Sequence, residues 1–129
     1  MLRDSPTFPS FSVDDVDTAR KFYGETLGLD VSDGPMGVLD VVLNGGQHLM
    51  LYPKTNHEPA TFTVLNFSVD DLDAAVDDLV GKGVEFEKYD MPELKTNEKG
   101  IARDPEGRGP ALAWFKDPAG NIVAVMQQG

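Results

Sequence analysis

Few side chains in this chain are equipped for chemistry. There are two histidines, His48 and His57, and no cysteine, which removes thiolate nucleophiles, disulfides and sulfur-ligated metal centres. His48 alternates with Met50 and Tyr52, so a strand over this run puts all three on one face. Histidine is the residue type suited to proton transfer near neutral pH, which makes His48 the first acid/base candidate, with Tyr52 and Asp40 the further ones. His57 sits in a polar connector, Asn56-His57-Glu58-Pro59, and is expected to be a solvated loop residue. The pairs Asp14-Asp15 and Asp70-Asp71 resemble paired acids, but each precedes an amphipathic stretch, which predicts helix capping. No G-x-S-x-G elbow, phosphate loop or dinucleotide fingerprint occurs, and Gly107-Arg108-Gly109 is only a turn-like cluster.

Composition narrows the setting. With 129 residues and 40% hydrophobic content, one sizeable core is affordable and two independent ones are not, so residues 1–129 are expected to form a single domain. The net charge of −11 repels phosphate backbones, which argues against nucleic acid as a partner. No apolar run approaches the roughly 18 to 20 residues that cross a bilayer, so no membrane partner is expected. The start MLRDSPTFPS has no basic segment followed by an apolar one, and the expected location is cytoplasmic.

The elements that must position these residues are repeated. Residues 11–19 read FSVDDVDTA and residues 67–75 read FSVDDLDAA, identical at seven of nine positions at an offset of 56. Farther on, LGLDV at 27–31 answers KGVEF at 82–86. Each copy runs strand, acidic helix start, amphipathic helix, glycine stop, strand, and the module boundary falls at about 58/59. Asp15 and Asp71 are the predicted N-caps, with Asp17 and Asp73 favourable to the helix dipole. Val16, Ala19, Phe22, Tyr23 and Leu27 form the buried face of the first helix; Leu72, Ala75, Val76, Leu79 and Val80 form that of the second. Alternation over Phe8–Val13 and Phe62–Val69 separates an apolar face from a mixed one carrying Phe8, Ser10, Ser12, Val64, Asn66 and Ser68. Hairpins are predicted from residues 38–43 and 47–52 around Asn44-Gly45-Gly46, and from 111–115 and 121–126 around Asp117-Pro118-Ala119-Gly120. The polar stretch between Tyr89 and Pro110 is a lid candidate.

These features resemble the vicinal oxygen chelate superfamily, which includes glyoxalases, extradiol dioxygenases, fosfomycin-resistance enzymes and bleomycin-binding proteins. The resemblance is carried by FSVDDVDTARKFYGETLGL, the second start FSVDDLDAA and the closing WFKDPAGNIVAV. It implies an α+β fold of two β-α-β-β-β modules whose mixed sheets curl into an open pocket, and a homodimer.

Metal-dependent members of that superfamily place ligands at positions that correspond here to Phe8, Met50, Val64 and Ala124. Phe, Val, Met and Ala provide no set of oxygen or imidazole donors for a divalent ion, so neither a metal nor another cofactor is expected. The implied pocket becomes apolar, with Phe8, Met50, Val64 and Ala124 accompanied by Ser10, His48, Tyr52, Asn66 and Trp114. Trp114 suits stacking on a planar ligand and a hairpin core position equally. The leading reading is a metal-free protein that binds or sequesters a small, largely apolar organic molecule, not an enzyme. The alternatives are a metal-free lyase or isomerase using His48 or Tyr52 as acid/base, and a packed dimeric interaction module without ligand.

Overall fold

Both predicted caps form. Asp15 accepts hydrogen bonds from the Asp17 and Thr18 N–H groups at 2.9 and 3.2 Å, opening helix α1 (Val16–Lys21). Asp71 accepts from Ala74 N–H at 3.1 Å and opens α2 (Leu72–Gly81). The computed structural model describes residues 1–128, which divide into two compact units, one up to Glu58 and one from Pro59 onward.

In the first unit α1 runs into a π-helical turn, Phe22–Thr26, before the chain turns into β2 (Asp30–Asp33). That turn brings the backbone close to β2: a Cβ on Gly24 would lie 2.8 Å from a Val31 methyl. Strands β1 (Ser10–Val13), β2, β3 (Leu39–Val42) and β4 (His48–Pro53) form a sheet of order β1-β4-β3-β2, with β1 parallel to β4 and the other pairs antiparallel. One sheet face holds Val13, Leu39, Val41, Leu49 and Leu51, all fully buried, together with Ala19 and Tyr23 from the helical segment. The burial of each large aliphatic contributes roughly 1.5–3 kcal/mol.

The second unit repeats the plan. Strands β5 (Thr63–Ser68), β8 (Ile101–Ala102), β9 (Ala111–Lys116) and β10 (Ile122–Gln127) take the order β5-β10-β9-β8, with β5 parallel to β10. The α2 side buries Leu72 and Val76 with Ala113, Phe115, Val123 and Val125. The closing turn is internally satisfied: Asn121 N–H and its side-chain amide donate to the Asp117 carboxylate at 2.8 and 3.2 Å, and both residues are buried. The folds agree in class: few helices and two open, mixed four-stranded sheets.

Three details depart from expectation. The first strand begins at Ser10, and Phe8 precedes it with 59% exposure. Val80 is 54% exposed in the last turn of α2, where it lines an open groove with Val76, Val84 and Phe86. In β5 the register slips: Thr63 pairs with Ile122 but Leu65 pairs with Val123, leaving Val64 as the extra residue of a bulge. The strict alternation read from Phe62 to Val69 therefore breaks at Val64.

The edge opposite β5 is a split strand. Phe86 bridges Phe115, and Glu87 N–H donates to the Trp114 carbonyl at 2.8 Å, yet the next place on β9, opposite Ala113, is taken by Ile101. Residues 88–100 leave this edge and return to it, carrying the hairpin β6 (Asp90–Met91) and β7 (Leu94–Lys95). Gly100 closes the excursion at φ +86°, where a Cβ would lie 2.9 Å from the Glu87 carbonyl oxygen and 3.0 Å from Phe86 Cβ. Lys99 pairs with Asp77 at 3.1 Å, and Arg103 with Asp73 at 2.5 Å, which ties the returning chain to α2.

Gly100→Ala is expected to cost about 1–3 kcal/mol, from left-handed strain together with the clash at Glu87, read as a lowered denaturant midpoint. The hydrogen bond from Arg103 holds the Asp73 carboxyl below its ordinary 3.8. This contribution to stability is present at neutral pH and is lost as pH falls through that depressed value. A carbon-13 titration should find the Asp73 midpoint below 3.8, and Arg103→Gln should return it towards 3.8.

Candidate functional site

Strand alternation assigns each sheet a second face, turned away from its helix, and the sequence-predicted site residues other than Phe8 and Val64 distribute over these two faces. In the first unit Ser10 pairs with Met50, Met50 with Asp40, and Ser12 with Tyr52, while His48 pairs with Val42. Ser10, His48, Met50 and Tyr52 are thus on one face of one sheet, with Asp40 and Ser12 beside them. Phe8 stands ahead of the strand.

Two side-chain contacts organise this face. His48 Nδ1–H donates to both Asp40 carboxylate oxygens, at 2.9 and 3.0 Å, which puts the lone pair of a neutral His48 on Nε2. Its side chain is 57% exposed. The second contact corrects the reading of His57 as a solvated loop residue. Its Nδ1 shares a 2.7 Å hydrogen bond with Ser12 Oγ, and the ring is half-buried. The connector turns back because Lys54 N–H donates to the Val13 carbonyl and His57 N–H to the Lys54 carbonyl, each at 3.0 Å. Nothing in a polar NHEP stretch announces that return.

In the second unit Asn66 pairs with Ala124 and Ala124 with Trp114, so these three predicted residues form one row across β5, β10 and β9. Val64, on the bulge, has no place in that row. Ser68, Met126, Leu112 and Ala102 form the next row. Trp114 is half-buried, and its ring meets Tyr89 edge-to-face at 5.7 Å and 82°.

The excursion 88–100 passes over this face. It and the segment before β9 border an open cleft of about 370 Å³ with Trp114 and Leu112 on its floor, Pro92, Leu94, Pro105 and Pro110 among its walls, and Glu93, Lys95, Arg103 and Asp104 around it. Sequence reasoning included Trp114 but missed the others. Leu112 was accessible from its parity with Trp114. The prolines and Leu94 were not, because their placement follows from where the β8 edge splits.

Phe8, Met50, Val64 and Ala124, the residues that the resemblance puts at ligand positions, are a phenyl ring, a thioether and two aliphatic groups, which do not fit a hard or borderline divalent ion. Among the described residues no three His, Cys, Asp or Glu side chains are grouped to hold a metal ion. None of the described helices is long and apolar enough to cross a membrane.

The arrangement of strands and helices matches solved structures over nearly the whole chain. A member of the glyoxalase/bleomycin resistance protein/dioxygenase superfamily from Sphaerobacter thermophilus is 24% identical with a TM-score of 0.68, covering 96% of this chain and 98% of that one. TnmS3, an antibiotic binding protein from a Streptomyces species, is 26% identical with a TM-score of 0.64 and covers 98% of both chains. The fosfomycin resistance protein FosX from Listeria monocytogenes is 11% identical with a TM-score of 0.72, covering 98% and 94%. No curated protein matches the sequence. The family model of the glyoxalase/bleomycin resistance protein/dioxygenase superfamily matches residues 8–125, and the chain belongs to that superfamily.

Proposed function

We propose that this protein binds a small, largely apolar organic molecule without a metal ion, and that the cleft over Trp114 is where the molecule is held. The observation that carries the reading is the cleft itself. Its volume of about 370 Å³ lies within the range of small-molecule pockets, which are mostly apolar with a few directed polar groups. Trp114 offers an aromatic face, and three prolines offer rigid apolar walls that lose little entropy when a ligand packs on them. Phe8, Met50, Val64 and Ala124 support the metal-free part of the reading, since they stand where metal-dependent relatives are expected to keep ligands. TnmS3 is an antibiotic binding protein of similar length and architecture, which supports binding rather than turnover. Sequestration needs only affinity.

The Asp40–His48 contact favours a second reading, acid/base catalysis by a metal-free enzyme. A carboxylate that fixes the imidazole tautomer leaves Nε2 as a base, the usual arrangement for proton transfer. The two readings place their working residues in different units, so variants separate them.

On the binding reading, fused-ring aromatics such as naphthol and anthraquinone raise the melting temperature and quench the fluorescence of Trp114, the one tryptophan. At a ligand concentration about 100 times Kd the stabilisation is about 2.7 kcal/mol. Stabilisation by divalent metals and by none of the organic probes would overturn the reading. Trp114→Ala should weaken probe binding by about 0.5–1.5 kcal/mol, whereas His48→Gln should leave it unchanged. A turnover activity abolished by His48→Gln with probe binding intact would establish the second reading instead.

A further inference from the structure

Two places in the chain put a glycine directly after a residue with a β-carbonyl group: Asn44-Gly45 and Asp33-Gly34. Because glycine has no Cβ to block the approach, the following backbone nitrogen can attack the side-chain carbonyl and close a five-membered succinimide. The structure treats the two sites differently.

Asn44 and Gly45 are the central residues of the exposed turn between β3 and β4. Gly46 N–H donates to the Leu43 carbonyl at 3.0 Å, and Leu43 N–H to the Gln47 carbonyl at 2.7 Å. Gly45 has φ +89° and Asn44 does not have positive φ, the sign pattern of a type II turn, in which the N–H of the third residue points out of the turn. Among the described residues neither the Asn44 side-chain amide nor the Gly45 N–H has a hydrogen-bond partner. The attacking nitrogen and the carbon it would attack are therefore both unrestrained.

Asp33-Gly34 is held at both ends. Arg20 donates from Nε and Nη2 to Asp33 Oδ1 at 3.1 and 2.5 Å, which holds the side chain against α1 and restrains the carbon that would be attacked. Gly34 N–H donates to the Val38 carbonyl at 2.9 Å, occupying the would-be nucleophile. Among the other asparagines, Asn97 accepts from the Lys99 and Ile101 N–H groups, and Asn56, Asn66 and Asn121 precede His57, Phe67 and Ile122, whose side chains obstruct the approach.

We infer that Asn44 is a site of spontaneous covalent modification in the folded protein, converting to aspartate and isoaspartate through a succinimide, and that Asp33 is protected from the same chemistry. The Gly45 nitrogen bonds to Asn44 Cγ, and the bond from Cγ to the amide nitrogen breaks. Ammonia leaves with the proton from Gly45 nitrogen. Water then opens the ring at one of its two carbonyls, yielding aspartate or an isoaspartate whose backbone passes through the β-carbon. Water is the only co-reactant and ammonia the only by-product. The turn acquires a carboxylate, and in the isoaspartate form an extra backbone methylene, between the strands that carry Asp40 and His48.

The test incubates the full-length folded protein in mildly alkaline buffer beside a sample held in urea, followed by peptide mapping and labelling with an isoaspartyl methyltransferase. The folded sample is expected to gain about 1 Da at Asn44, together with isoaspartate label there and none at Asp33; the urea sample is expected to show label at both. Asn44→Gln should remove the mass gain and the Asn44 label from the folded sample. An Asn44 that stays intact when folded but reacts in urea would overturn the inference. So would isoaspartate at Asp33 in the folded sample, or no reaction at Asn44 in either sample.

Discussion

A four-stranded sheet packed by a single helix can hide only one of its faces, and everything distinctive about this protein follows from which residues lie on the other. Side chains alternate along a strand, so the parity that buries Leu39, Val41, Leu49 and Leu51 on the α1 side of the first sheet commits Asp40, His48, Met50 and Tyr52 to the opposite side. The same rule in the second sheet buries Ala113, Phe115, Val123 and Val125 and turns Leu112, Trp114, Ala124 and Met126 away from α2. A slip of one residue in either sheet would exchange core for surface along a whole strand. Register is therefore strongly specified by the apolar runs.

Much of this was legible in the sequence because it rests on local rules. Asp15 and Asp71 were identified as caps from their position before amphipathic stretches, and both side chains bond the N–H groups that a helix start leaves unpaired. The turn at Asp117–Gly120 was legible from its residue types, and its stability comes from Asp117 and Asn121 satisfying each other while buried. What escaped was non-local. The bulge at Val64 appears only when β5 is paired with β10, and His57 reaches Ser12 through a chain reversal that no residue type in its connector requires. Val80 fits the helical periodicity of α2 but borders an open groove with Val84 and Phe86 instead of the core.

The split edge of the second sheet shows why the cleft could not be read in advance. The first unit uses one strand, β2, where the second uses the stretch around Phe86 and then β8, with residues 88–100 inserted between. From sequence this insertion is a polar segment without period. In space its two ends are neighbours, and the pinch at Gly100 leaves a Cβ only 2.9 Å from the Glu87 carbonyl oxygen. A loop closed at its base loses less entropy on ordering than an open excursion of equal length, because its end-to-end distance is already fixed. The ion pairs from Lys99 and Arg103 to α2 are exposed and individually weak. Their role is to direct the returning chain, while the cleft walls are set by prolines whose φ is fixed by their own rings.

The two units have the same strand order but a different balance of polar and apolar groups on their helix-free faces. The first sets Met50 among hydroxyls, a carboxylate and an imidazole, with Asp40 and His48 satisfying each other; the second sets Trp114, Leu112 and Met126 beside Asn66 and Ser68. Groups that can hydrogen-bond with water gain little from leaving it, whereas apolar surface gains roughly 25 cal/mol for each Å² removed. On the proposed binding reading, an apolar guest gains more at the second face than at the first. A reacting group that needs a base meets the reverse preference. The shared topology fixes where side chains stand, and the divergence of their types, more than any difference in backbone, decides which face attracts which kind of molecule.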